Sequence, residues 1–175
     1  MSRQELTAVL TELGAAAMPH PGGTLLTHLH RVHDRLAGWG ARDALQLAGL
    51  AHAFYGTDGF PHPLRPPDRR TELIDLIGAE AEAAVHLYAS CDRAATYPHL
   101  TGEGAPFRDR FTGRTFRPDA GRLRDFAELT VANELDLAAH DSGFREKWGP
   151  ELLVLFTRCE SLLTPACRGD VRAVL

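Results

Sequence analysis

The chain contains few cysteines and no long apolar run. Its three cysteines, Cys91, Cys159 and Cys167, are odd in number and show neither Cys-x-x-Cys nor zinc-finger spacing. This argues against a disulfide framework and a structural zinc site, so we expect buried thiols. The longest apolar stretches, such as Leu45–Phe54 and Leu152–Phe156, fall well short of the roughly 20 residues that a membrane-spanning helix needs. We therefore expect no membrane insertion.

Basic residues are not in excess either. The chain carries 19 Lys and Arg against 23 Asp and Glu, a formal net charge of −4, and the charges are scattered. Phosphate backbones require an extended cationic face, so we expect no nucleic-acid partner. The first residues, Met1–Gly14, lack the basic start and apolar centre of a secretory signal. These observations together predict a cytoplasmic protein.

The composition is that of an ordinary globular domain. Apolar residues make up 44% and charged residues 24% of 175 residues, a length typical of one domain with its own core. We therefore predict a single domain over residues 1–175. The frequency of symmetric pairs among globular proteins is the only ground for expecting a homodimer.

Apolar residues recur at helical spacing in seven segments, with Ser2 and Thr24 available to cap the first two. The predicted helices are about Ser2–Ala17, Thr24–Ala37, Asp43–Phe54, Thr71–Ile77, Ala79–Ser90, Arg122–Ala139 and Phe144–Leu163. The third is apolar almost throughout, which indicates a centrally buried helix. Strands do not alternate with helices, so we predict an all-α bundle of about seven helices.

Two irregular segments separate these helices. Tyr55–Asp68 is too rich in Pro and Gly to be helical, and loops of this length in small domains are often functional. Thr96–Pro118 is also irregular, with a predicted hairpin around Phe111–Phe116 that turns at Thr112-Gly113.

Histidines are the most informative polar residues. His28 and His52 lie on neighbouring apolar helices. A single histidine on such a face is usually a hydrogen-bonded core residue, but two on adjacent helices favour a shared site. His33-Asp34 is a literal His-Asp pair, but it lies on a helix with Arg31 and Arg35, so we expect His33, like His30, on the surface.

Two segments resemble the opening of histidine–aspartate (HD) domains, especially the branch that hydrolyses ppGpp. They are Gly23–Val32, with Gly-Thr-x-x-x-x-His, and Leu47–His52, an apolar helix that ends in His. Arg70–Gly78 and Leu129–Asp136 extend the resemblance to about residues 20–140. More similar still is a group of small bacterial HD-like proteins, without an assigned function, that share Pro-His-x-Gly-Gly-Thr-Leu-Leu-x-His and Ala-Gly-Leu-x-His-x-x-Tyr-Gly-Thr.

The resemblance implies a divalent metal ion, Fe, Mn, Zn or Co, held by His28, His52 and Asp136, with His20 or Asp58 as a further group. The chain departs from the HD pattern at Ala53, where the family has the adjoining metal-binding aspartate. This departure favours a weaker site.

The resulting expectation is a metal-dependent enzyme that acts on a small anionic metabolite, with phosphohydrolase-like hydrolysis. Asp58 or Glu134 would accept the proton of the attacking water, and Asn133 with Glu134 would orient Asp136. The substrate-binding candidates are Arg69, Arg70, Tyr55 and Thr57: the arginines could grip an anion, and the glycines of the Tyr55–Gly59 loop allow close approach.

Two alternatives stay open at this point. The additional His20 and Asp58 are compatible with a non-haem iron oxygenase of the HD type. Ala53 is compatible with a non-catalytic module that binds a small ligand at a degenerate metal site.

Overall fold

The computed structural model describes residues 3–175, and this part of the chain is mostly helical. It contains nine α-helices and two short antiparallel hairpins, so the predicted all-α class is confirmed. None of the helices within residues 3–175 combines the length and apolar character that a bilayer-spanning segment requires. Ser2, which we predicted to cap the first helix, lies outside the described residues.

The chain divides into two compact units, Met1–Ala89 and Ser90–Leu175. The elements of the first unit are α1 (Arg3–Glu12), β1 (Pro19–His20), β2 (Gly23–Thr24), α2 (Leu25–Gly38), α3 (Asp43–Ala51), α4 (Arg70–Ile77) and α5 (Ala79–Ala89). Strands β1 and β2 pair with Pro19 opposite Thr24 and His20 opposite Gly23. The expectation of a single domain over residues 1–175 stays a prediction.

The second unit contains α6 (Arg93–Thr96), β3 (Phe107–Arg108), β4 (Thr115–Phe116), α7 (Ala120–His140), α8 (Ser142–Arg158) and α9 (Pro165–Val174). The β3–β4 hairpin turns through Gly113, which has a φ of 70°, close to the turn that we predicted. Helices α6 and α9 and the β1–β2 hairpin were not predicted.

Side-chain caps fix several helix starts. The Thr24 hydroxyl accepts a hydrogen bond from the Thr27 amide at 3.2 Å, so the predicted cap of α2 is confirmed. Asp119 and Asp141 cap α7 and α8 in the same way. Thr164 caps α9, and Pro165 occupies its first turn. This Thr-Pro pair is a helix-start signal, which we missed because we ended the last predicted helix at Leu163 and assigned no element after it.

Gly49 lets α3 pack closely against α2. A Cβ atom at this position would lie 2.6 Å from Leu36 Cδ1 and 3.4 Å from Val32 Cγ1. Leu36 and Val32 belong to the fully buried stripe of α2. The close approach brings the two histidine-bearing helices together.

The prediction that His33 is exposed was wrong. Its exposed fraction is 8%, because its backbone lies on the side of α2 that faces Gly49. His33 Nδ1 lies 3.0 Å from Asp34 Oδ1, and Asp34 also pairs with Arg3. His30, also expected on the surface, is half-buried and accepts a hydrogen bond from Arg3.

Candidate metal centre

His28 and His52 lie side by side within the first unit. His28 is on the first turn of α2, and His52 directly follows α3. Their exposed fractions are 0% and 2%. The two Nε2 atoms are 3.3 Å apart, and the ring centres are 5.1 Å apart with the planes at 79°. The two imidazole edges therefore face each other in a buried, apolar environment.

These two distances match a pair of ligands that converge on one ion. Imidazoles bound through Nε2 to a tetrahedral ion at about 2.05 Å would have nitrogens roughly 3.3 Å and ring centres roughly 5.2 Å apart. A straight Nε2–H···Nε2 hydrogen bond of that length would place the ring centres roughly 5.6 Å apart. The observed 5.1 Å fits the convergent arrangement, and it equally fits a bent hydrogen bond between the two rings. The two residues thus fit the metal that the HD resemblance implies.

A backbone carbonyl orients the His52 ring. Its Nδ1 lies 2.8 Å from the Gly49 oxygen, a hydrogen-bond acceptor, so Nδ1 carries the proton. In the neutral ring Nε2 then presents its lone pair towards His28. A metal-binding histidine commonly has its second nitrogen held in this manner.

Two further aromatic rings border the pair. His20, on β1, stacks on His28 with ring centres 4.1 Å apart and planes at 25°. Tyr88, on α5, meets His52 edge-to-face at 5.5 Å. Three imidazoles therefore form one contiguous cluster. Within residues 3–175, however, His, Cys, Asp and Glu side chains do not come together in threes or larger groups that could bind a metal ion. Of the three metal ligands that the resemblance implies, the first unit brings together His28 and His52.

Sequence reasoning missed Glu82, a carboxylate on α5 that is fully buried. Arg70 donates to it from Nε at 2.7 Å and from Nη2 at 2.6 Å, and the Tyr55 hydroxyl donates at 3.0 Å. In the sequence, Glu82 stands in the first turn of a predicted helix, where an acid favours the helix dipole and needs no other explanation. Its position inside the apolar segment Ala79–Ala89 was the signal that could have identified it.

Electrostatics around Glu82 follow from this arrangement. Burial, and secondly the neighbouring Glu82 carboxylate, raise the pKa of Tyr55 above its ordinary value. The hydrogen bonds to Glu82 raise the pKa of Arg70. Tyr55 thus stays a neutral donor and Arg70 a cation, so both support the buried carboxylate.

The other predicted residues of the first unit are more dispersed. Asp58 is exposed in the loop after α3. The Arg69 side chain is 62% exposed and pairs with Glu72 at 3.3 Å. Thr57 is buried, and its hydroxyl accepts from the Phe60 amide at 3.0 Å, which closes a tight turn. Their assigned roles stay predictions.

The remaining predicted residues lie in the second unit, on α7. Asp136 is fully buried, and its Oδ1 lies 3.4 Å from His140 Nδ1. Glu134 is 3% exposed and accepts from Arg93 Nη1 at 2.9 Å and from Asn133 Nδ2 at 3.1 Å. The role of Asp136 as a metal ligand stays a prediction.

The model of a family described as a domain of unknown function, DUF6817, matches residues 9–93. The match contains His20, His28, His52, Arg70 and Glu82, and it ends before the carboxylates of α7. Its extent nearly coincides with the first compact unit. No curated protein and no solved structure matches the chain.

Proposed function

We propose that this chain is a metal-dependent enzyme that acts on a small anionic metabolite by a phosphohydrolase-like reaction. The observation that supports this proposal is the convergence of the His28 and His52 Nε2 atoms, 3.3 Å apart in a buried environment. These two residues would hold a divalent ion. When bound, the ion supplies a Lewis acid and lowers the pKa of a coordinated water.

Arg70 is the residue that we propose for holding the anion. Glu82 engages its Nε and Nη2 atoms, which fixes the plane of the guanidinium group. The side chain is nevertheless 44% exposed, and the guanidinium group would bind a phosphate or carboxylate oxygen through its Nη1 edge. Arg70 would thus bind substrate through one edge while the other stays attached to the protein.

Asp58 is our candidate for proton acceptor. It is exposed in the loop that follows His52. A solvent-exposed carboxylate has lone pairs that a water molecule can reach. The Glu134 carboxylate, by contrast, is 3% exposed and accepts hydrogen bonds from Arg93 and Asn133. The anion would be bound by Arg70, and the proton of the attacking water would pass to an Asp58 carboxylate oxygen.

Ala53 supports a second candidate, a non-catalytic module that binds a small ligand. This residue is 2% exposed and offers no carboxylate where the HD pattern has one. The iron-oxygenase alternative has no comparable observation in its favour. A cytoplasmic location, a homodimer and the absence of nucleic-acid and membrane partners belong to the same proposal and rest on the sequence.

The test is metal analysis of the full chain, purified without a histidine tag, followed by assays of phosphate release from a panel of phosphorylated metabolites. We expect near-stoichiometric metal and metal-dependent hydrolysis, both lost in His28→Ala and in His52→Ala. His62→Ala is the matched control because His62 is an exposed imidazole of the same unit. Metal without turnover would favour the binding module. Equal metal content in all four proteins would overturn the metal-dependent proposal.

A further inference from the structure

The β3–β4 hairpin of the second unit concentrates positive charge in a chain that is acidic overall. Residues 107–117 contain four arginines and one aspartate, whereas the whole chain has a formal net charge of −4. We propose that the outer edge of β4 is a docking surface for an extended acidic segment of a partner protein, which pairs with β4 as an additional strand. This inference is independent of the histidine pair, because all the residues concerned lie in the second unit.

The outer edge of β4 carries backbone groups that point away from the hairpin. On its other side, β3 is joined to residues 90–92 by backbone hydrogen bonds of 2.8 and 2.9 Å, but within residues 3–175 β4 pairs only with β3. The Asp109 amide donates to the Arg114 oxygen, so these two residues form a hydrogen-bonded pair of the antiparallel ladder. Thr115 then takes the alternate position, in which the amide and carbonyl point outward.

Three exposed arginines surround this edge, namely Arg108, Arg114 and Arg117. The Arg108 guanidinium group donates to the Thr115 hydroxyl at 3.4 Å, and the Arg117 group donates to the Gly104 carbonyl, so both acceptors are neutral. Within the part of the chain that the structure describes, none of these three arginines forms an ion pair with a carboxylate. Their charge can therefore attract acidic side chains of a partner.

The one carboxylate of residues 107–117 stabilises the turn. Asp109 Oδ1 accepts hydrogen bonds from the Phe111 amide at 2.7 Å and the Thr112 amide at 3.2 Å. The hairpin thus keeps an excess of positive charge. Charged side chains at a strand edge repel strands of like charge, so the arginines also restrict the partner to an acidic one.

The two faces of the hairpin predict which peptide fits. Arg108 and Thr115 lie opposite each other and so share one face. Phe107 and Phe116 share the other face, with ring centres 5.4 Å apart. The Phe107 ring is fully buried, whereas Phe116 is 37% exposed at the end of this row. A strand added beside β4 would meet cationic groups on one face and an aromatic ring on the other, which favours alternating acidic and apolar residues.

The strand edge favours a peptide over a nucleic acid. Outward amides and carbonyls pair with an extended peptide, as in other cases of β-strand addition. A nucleic acid would use the arginines but not the backbone of the edge, and its phosphates require a longer cationic face than one hairpin provides. The combination of an edge with unpaired backbone groups and nearby arginines therefore points to an acidic polypeptide.

The experiment is a titration of a fluorescent peptide of alternating Glu and Val, about eight residues long to match a strand, with the tag-free full chain. Binding is followed by fluorescence anisotropy. Three other probes are a peptide of the same composition with its glutamates in one block, an alternating Lys–Val peptide and an oligothymidylate of similar length.

Four variants are compared with wild type, and thermal melts verify that each is folded. Thr115→Pro removes the outward amide hydrogen while the hydrogen bonds to β3 stay intact, since proline is tolerated at such positions of an edge strand. Arg108→Gln and Arg114→Gln each remove one positive charge from the hairpin. Arg172→Gln is the matched control, because it removes one exposed arginine of the same unit from α9.

We expect the Glu–Val peptide to bind wild type and the Lys–Val peptide not to bind. Thr115→Pro should weaken binding by at least about fivefold, the equivalent of one net hydrogen bond. Arg108→Gln and Arg114→Gln should each weaken it about two- to fivefold, the range of one exposed ion pair, whereas Arg172→Gln should bind like wild type.

The other outcomes would overturn the inference. If the block peptide binds as tightly as the alternating one, or Thr115→Pro binds like wild type, charge acts without strand pairing. Tighter binding of oligothymidylate would make the hairpin a nucleic-acid surface. Self-association of wild type that Thr115→Pro abolishes would mean that a second copy occupies the edge, and the absence of binding to either acidic peptide would leave no docking surface.

Discussion

Replacing Glu82 by Gln should destabilise the first unit more than any exposed charge change in it. The Glu82 side chain is 1% exposed and receives three hydrogen bonds, two from Arg70 and one from Tyr55. Gln keeps the shape but loses the negative charge. It also points an NH₂ group at one of these donors, which then has no acceptor.

The size of the effect follows from the unequal burial of the two partners. Breaking an ion pair in which both groups are buried costs about 3–5 kcal/mol, because a charge is left without compensation. The Arg70 side chain is 44% exposed, so water can solvate part of the guanidinium group in the variant. We therefore expect a loss of about 2–3 kcal/mol in the free energy of unfolding.

Glu80→Gln is the matched control. Glu80 lies two residues before Glu82 on α5 and also pairs with an arginine, Arg42. The Glu80 side chain is 64% exposed and the Arg42 side chain 48% exposed. Exposed pairs of this kind contribute less than about 1 kcal/mol. The assay is urea unfolding followed by circular dichroism. The free energy of unfolding of each variant is compared with that of wild type, with one common slope of free energy against urea concentration. Equal losses in Glu82→Gln and Glu80→Gln would refute the argument that burial makes the Arg70–Glu82 pair important.

Two further changes test the packing and titration of the same unit. Gly49→Ala should cost about 1–3 kcal/mol in urea unfolding, because its Cβ would overlap Leu36 Cδ1; a wild-type midpoint would contradict the close helix crossing. The raised pKa of Tyr55 means that the folded state holds the phenol proton more tightly than the unfolded state. The protonated phenol therefore contributes to the free energy of unfolding. This contribution is complete below about pH 10, the pKa of tyrosine in the unfolded chain, and it is lost as the pH rises further. Wild type should therefore lose more stability than Tyr55→Phe between neutral and strongly alkaline pH, and parallel losses would contradict the raised pKa.

Features set by local sequence were predictable. The Thr24 cap depends on a hydrogen bond to a residue three positions along the chain, so the residue pattern alone identified it. The all-α class followed from helical spacing repeated along the chain. The proximity of His28 and His52 could be anticipated because their helices are consecutive and apolar.

Features set by distant contacts were not predictable. Glu82 is recognisable as a buried ion-pair partner only once Arg70 and Tyr55 are placed around it. His33 is buried because the closely packed α3 widens the covered face of α2 beyond one stripe. The β1–β2 strands have two residues each, too few for an alternating pattern to appear.

The most direct test of the account is X-ray absorption spectroscopy of the full chain loaded with one equivalent of Zn²⁺. Coordination by His28 and His52 predicts nitrogen scatterers at about 2.0–2.1 Å with the outer-shell signature of imidazole rings. The imidazole signal should be weaker in His52→Ala. A first shell of oxygen atoms alone, or a spectrum unchanged by that substitution, would contradict the claim that the two buried imidazoles are metal ligands.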